Sequence, residues 1–243
     1  MFDFPQKMLN KFPDPDDSFQ CATPAAGSPF SVDPKSPPLD TETAKLFCAL
    51  TAKGLFASKR CRPNVQVPVA FLTTRVRNPT KQDWFELKCL LGCLRAAIGV
   101  PHTLKLENSS KILTCSDSSF AIHTDMRGHT GMATTMGKGA ILSLSGKQRL
   151  DTQSSTESKI AAVDEGIVEL LWSQNLLLTQ NCPVSDCILF QDNQAGMKSE
   201  KHSFTSSGKQ TKHFEIQFWF ATKIVCWGTF PWSAAQPWTW WQT

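Results

Sequence analysis

Three short stretches, far apart along the chain, each present one acid at the edge of an apolar segment. Lys111 to Phe120 runs Lys-Ile-Leu-Thr-Cys-Ser-Asp-Ser-Ser-Phe. Its Ile112–Cys115 portion has the pattern of a buried strand and delivers Asp117 at its end. Ser154-Ser-Thr-Glu157 opens a long segment in which Ile160, Val163, Ile167, Leu170 and Leu171 recur at helical spacing. Cys187-Ile-Leu-Phe190 is a short continuous apolar run, as expected of a strand covered on both faces, and it leads to Asp192. Strand, helix and strand, each tied to one acid, restrict this region to an α/β fold. In such a fold Asp117, Glu157 and Asp192 converge if the two strands are neighbours.

Converging carboxylates imply a cation. At ~4 Å two acids repel by about 4 kcal/mol at an effective dielectric near 20. The cluster persists when a cation occupies it or when one acid takes up a proton. Hard Mg²⁺ selects carboxylate oxygens and keeps positions for water and phosphate. Two such ions about 3.5–4 Å apart activate a water and stabilise the leaving oxygen in phosphodiester hydrolysis. Each acid also has a structural alternative. Ser154 and Glu157 have capping-box spacing, so Glu157 can instead reach back to a backbone N–H. Asp192-Asn193 can cap a helix running from Ala195 to Lys198. His123, Asp125 and His129 could bind a metal, but Gly128 and Gly131 mark the segment as an ordinary flexible loop. A zinc module built from Cys182, Cys187, His123 and His129 is disfavoured, because the chain has no Cys-x-x-Cys pair.

The rest of the chain frames this region. The first forty residues are rich in proline and acids, predicting a disordered leader, with Asp14-Pro-Asp-Asp17 as a solvated turn. Residues 41–101 predict a small helical connection. Asp40 or Thr41 caps a helix carrying Leu46, Ala49, Leu50 and Leu55. Thr80 caps a second, with Asp83 in its first turn and Trp84, Leu87, Leu90, Leu91 and Leu94 on one face. Thr103–Leu106 is strand-like, and Gly131 to Ser145 predicts a hairpin turning at Gly137-Lys-Gly139. Phe214 to Ile224 has a helical pattern. Residues 226–243 hold five of the eight tryptophans without charges, the composition of an appended tail. The net charge of +4 does not by itself imply a strong field for polyanions. No apolar run reaches the ~20 residues of a membrane span, and the start lacks a secretory pattern. Nine scattered cysteines suit reduced thiols, with Cys48, Cys89, Cys93, Cys115 and Cys187 set in apolar stretches. An intracellular protein, cytoplasmic or nuclear, is expected.

Five motifs in one order resemble the RNase H region at the C-terminal end of a copia-type retrotransposon Pol polyprotein. The family's Ser-Asp-Ala-Asp stands here as Ser116-Asp117-Ser118-Ser119. Its Ser-Ser-Thr-Glu-Ala-Glu-Tyr stands as Ser154-Ser155-Thr156-Glu157-Ser158-Lys159-Ile160, and its Cys-Asp-Asn-Gln as Gln191-Asp192-Asn193-Gln194. A Thr-Lys-His element follows at Thr211-Lys212-His213-Phe214-Glu215. Upstream, Arg62-Pro63-Asn64 and Asn78-Pro79-Thr80 with Trp84 resemble the connection that follows the reverse transcriptase. The resemblance implies an RNase H-like mixed sheet flanked by helices over 102–225, preceded by the helical connection. It implies Asp117, Glu157 and Asp192 as the catalytic, Mg²⁺-binding acids, and an RNA–DNA hybrid as the nucleic-acid partner. The departures bear on activity. The family's fourth acid lies in an Ala-Asp-x-x-Thr-Lys segment, but no Asp or Glu follows Ile224 here. Lys159 replaces an acid of the second motif, and no Tyr-x-Asp-Asp exists in a chain without tyrosine. The expectation is a retroelement remnant with hydrolysis weak or lost, or a non-catalytic one that at most binds nucleic acid.

Overall fold

The structure is a computed structural model. It describes residues 3–13, 19–25, 30–107 and 110–192, and the backbone of 232–234. The Asp14–Asp17 turn, the helices expected over 195–198 and 214–224, and the Thr211–Glu215 landmark lie outside the described residues. The chain divides into two compact units, Met1–His102 and Thr103–Thr243.

The first unit is helical: α1 (Asp3–Leu9), α2 (Thr41–Arg60), α3 (Gln66–Arg75) and α4 (Lys81–Ala96). Asp40 begins α2 by accepting a hydrogen bond from Thr43 N at 3.0 Å. Thr80 begins α4 with a reciprocal box: its hydroxyl accepts from Asp83 N, and Asp83 accepts from Thr80 N at 2.7 Å. Phe47 and Leu50 of α2, Leu72 of α3, and Leu87, Leu90 and Leu94 of α4 form the core. The leader departs from expectation. Met8, Leu9 and Phe12 are buried in that core, and Phe30, Val32 and Leu39 pack against it. Proline and charge predicted disorder there, but these spaced apolar side chains have an existing hydrophobic surface to cover.

The second unit is a mixed sheet with a helix across it, the fold class expected. Its strands are β1 (Lys105–Leu106), β2 (Lys111–Ser119), β3 (His129–Thr135), β4 (Gly137–Lys138), β5 (Leu142–Lys147), β6 (Asp186–Gln191) and β7 (Trp232–Ala234). The main sheet has the order β5-β3-β2-β6-β7. Its β5-β3-β2 side is antiparallel, and β6 and β7 are parallel to β2. The predicted hairpin is β3–β5, and its connection forms a two-stranded ribbon with β1. Gly139 is required there. Its φ is +81°, and a Cβ would stand 2.4 Å from Thr103 O. Helix α5 (Ser155–Thr179) lays Val163, Ile167 and Leu170 on Ile112, Cys187 and Leu189 of the two central strands. The Trp-rich segment is not wholly an appendage, because the backbone of Trp232–Ala234 pairs with Leu189–Gln191.

Among the described residues, Cys89, Cys93 and Cys187 are buried free thiols, whereas Cys48 is exposed and Cys115 half-buried. No helix among the described residues is long and apolar enough to cross a membrane.

Candidate functional site

The register of the two central strands brings two of the three acids together. Lys111 pairs with Asp186 and Cys115 with Phe190 in the β2–β6 ladder. The same offset, carried two residues further, sets Asp117 level with Asp192. Strand side chains alternate, so residues level with one another on parallel neighbours share a face. Asp117 is not at the end of its strand, as its sequence pattern predicted. It lies within β2, opposite Gly131, because β3 pairs with the strand as far as Ser119. Both carboxylates are well exposed to water, with side chains 69% and 44% accessible.

Between these acids lies Lys159, from the first turns of α5. Its Nζ donates to both oxygens of Asp192, at 2.5 and 2.6 Å, and stands 3.4 Å from Asp117 Oδ1. Burial disfavours the charged ammonium, but the hydrogen bond it donates to Asp192 and the charges of Asp117 and Asp192 outweigh it. The pKa of Lys159 is held above its ordinary value. The helix presenting Lys159 is tied to the sheet beside it. Ser158 Oγ lies 2.9 Å from Ser118 Oγ and 3.0 Å from Gln148 Oε1, while Gln148 Nε2 donates to Ser158 O at 2.8 Å. Gly128, taken from the sequence as a flexible-loop residue, is there for space: a Cβ would meet Gln148 Oε1 at 2.3 Å.

Glu157 is used differently. Its Oε2 accepts from Gln153 N at 2.6 Å, and its backbone N–H donates to Ser154 Oγ at 3.2 Å. This is the capping alternative, displaced by one residue from the usual reciprocal box. The carboxylate satisfies an open backbone donor at the positive end of α5.

Among the described residues no three or more His, Cys, Asp or Glu side chains form a group able to hold a metal ion. The donor set as arranged does not fit a two-ion centre. Two acids are bonded or close to an ammonium, and the third is bonded to backbone. His123 and His129 do meet, but as a hydrogen-bonded pair: Nε2 of His123 lies 3.0 Å from Nδ1 of His129, whose Nε2 lies 2.7 Å from Ser145 Oγ. Burial, reinforced by the charge of His123, lowers the pKa of His129 to about 4.

Sequence reasoning named the acids but gave Lys159 no role at the site. The signal was present, because Lys159 stands in the second motif where the family has an acid.

Comparison with known proteins bears on ancestry. No family model matches the sequence. The retrovirus-related Pol polyprotein from transposon TNT 1-94 of Nicotiana tabacum is 26% identical over 173 residues, covering 70% of this chain. The chain spans 13% of the length of that relative. Among solved structures, LC11-RNase H1, isolated from compost, is similar at 10% identity and a TM-score of 0.40, over 53% of this chain and 86% of its own. The foamy viral protease-reverse transcriptase in complex with RNA/DNA hybrid gives 9% identity and a TM-score of 0.48, over 97% of this chain and 27% of its own. By sequence, then, the chain is similar to a part of a retrovirus-related transposon Pol polyprotein.

Proposed function

We propose that residues 103–243 are a retroelement RNase H-like domain. Its ancestral activity is metal-dependent hydrolysis of the RNA strand of an RNA–DNA hybrid, and that turnover is weak or lost in this chain. Asp117, Glu157 and Asp192 descend from the metal-binding acids, and what remains is binding to nucleic acid. The observation that carries the reading is the register of β2 and β6, which brings Asp117 and Asp192 level on one face beside the first turns of α5. The reduced turnover is supported by Lys159, which sits between those acids, and by Glu157, which is committed to Gln153 N.

The test is incubation of the full chain with an end-labelled RNA–DNA hybrid in Mg²⁺ or Mn²⁺, alongside binding of the same hybrid over a salt series. The expected result is trace cleavage at most, abolished by Asp192→Asn, with binding that weakens as salt rises. Robust cleavage, or cleavage indifferent to Asp192→Asn, contradicts the loss of turnover. Absence of binding at low salt contradicts the retained role.

A further inference from the structure

We infer that Lys159 is a tethered counter-cation standing in for a divalent ion between Asp117 and Asp192, so that the site accepts a divalent ion only when Lys159 is removed. The description of the site as a former metal centre rests on the reading above. The substitution of an ammonium for an ion rests on geometry.

Lys159 does what a bound ion does for two neighbouring acids. It contacts both oxygens of Asp192 and lies within ion-pair reach of Asp117. Its side chain is only 20% exposed, less than either acid, so the ammonium is the inner member of the cluster. It is held in place rather than drifting. Ser158, its neighbour on α5, is fully buried and locked to Ser118 and Gln148. A cation carried on the same chain acts at an effective concentration far above that of a free ion in solution. A divalent ion entering between the acids would meet this positive charge at contact distance, with only two carboxylates to offset both cations. The third acid of the ancestral set cannot help without giving up Gln153 N at the start of α5. The remaining charge of the triad is a single negative one, which water and exposure to salt readily accommodate.

The proposal is tested on the full chain with Mn²⁺ and Mg²⁺ alone as probes. Free Mn²⁺ is followed by electron paramagnetic resonance, and unfolding temperature is followed with and without millimolar Mg²⁺. The wild-type chain is expected to leave the Mn²⁺ signal undiminished and its unfolding temperature unmoved. Lys159→Met and Lys159→Glu are expected to take up one Mn²⁺, roughly tenfold or more tightly than wild type, and to unfold at higher temperature in Mg²⁺. Adding Asp192→Asn to Lys159→Glu is expected to cancel both effects. Stoichiometric Mn²⁺ uptake by wild type, or a folded Lys159→Met chain no better at uptake than wild type, overturns the proposal. If the variants do not fold in metal-free buffer, refolding with Mg²⁺ decides: recovery supports the proposal and no recovery overturns it. Hybrid binding is read separately, so its loss contradicts the functional reading without touching the metal result.

Discussion

Single side chains set how the second unit responds to its surroundings. His129 is 6% exposed and hydrogen-bonded on both ring nitrogens, to His123 and Ser145. Its folded-state pKa of about 4 lies below the ordinary histidine value, so the fold favours the neutral ring. The sign follows. This stability is fully present above the unfolded pKa near 6.5 and is lost as pH falls toward about 4. Its upper size is about 3 kcal/mol. Urea unfolding of the second unit between about pH 7 and about pH 4 is expected to show this loss. In His129→Gln the slope over that window flattens, even though the variant is weaker at neutral pH. An unchanged slope assigns the acid sensitivity to other groups. Gln191 makes the opposite prediction. It is 1% exposed, and neither Nε2 nor Oε1 finds a partner among the described residues. An unpaired buried amide costs about 1–3 kcal/mol, so Gln191→Met is expected to raise stability by about 1–2 kcal/mol in a thermal melt. Neither feature was visible beforehand. The sequence shows that His123 and His129 sit near each other along the chain, but not that β3 and β5 bring Ser145 to the second ring.

Among elements, α5 couples local sequence to the site. Ser154 and Glu157 were ambiguous in the sequence because a capping acid and a metal-binding acid obey the same spacing. Side-chain direction decides between them, and spacing does not encode it. The structure has Glu157 bonded to Gln153 N, which makes its worth measurable. Ser154→Ala and Glu157→Ala are each expected to cost about 1 kcal/mol. Because they serve one helix start, the double variant is expected to cost less than their sum. Strict additivity in the double-mutant cycle would mean that the two side chains act separately. Other elements were plain in the sequence. Asp40 and Thr80 announced α2 and α4, the apolar run from Cys187 announced β6, and Gly137-Lys-Gly139 marked the β3–β5 connection. The length of β2 was not legible. Its outer half is polar and is strand only because β3 pairs with it.

For the molecule as a whole, the main surprise lies near the start of the first unit. Met8 is 1% exposed and Leu9 5%, inside the core built by α2, α3 and α4. Burying such side chains is worth roughly 1.5–3 kcal/mol each. Deleting residues 1–13 is therefore expected to lower the stability of the first unit by several kcal/mol, at roughly the sum for Met8, Leu9 and Phe12. Chemical denaturation of the shortened chain measures this, and an unchanged midpoint would show that α1 contributes no net stability. Composition concealed this role, because proline and charge averages ignore a few well-placed apolar groups.

The outer strand β7 carries a different consequence, one concerning synthesis. It pairs with β6 across about forty residues of intervening sequence. On the ribosome, β6 therefore emerges well before its parallel partner. Through that interval one flank of β6 offers unmet N–H and C=O groups to any passing extended peptide. Nascent chains halted before Trp232 should thus be the aggregation-prone species, and the ones a chaperone shields.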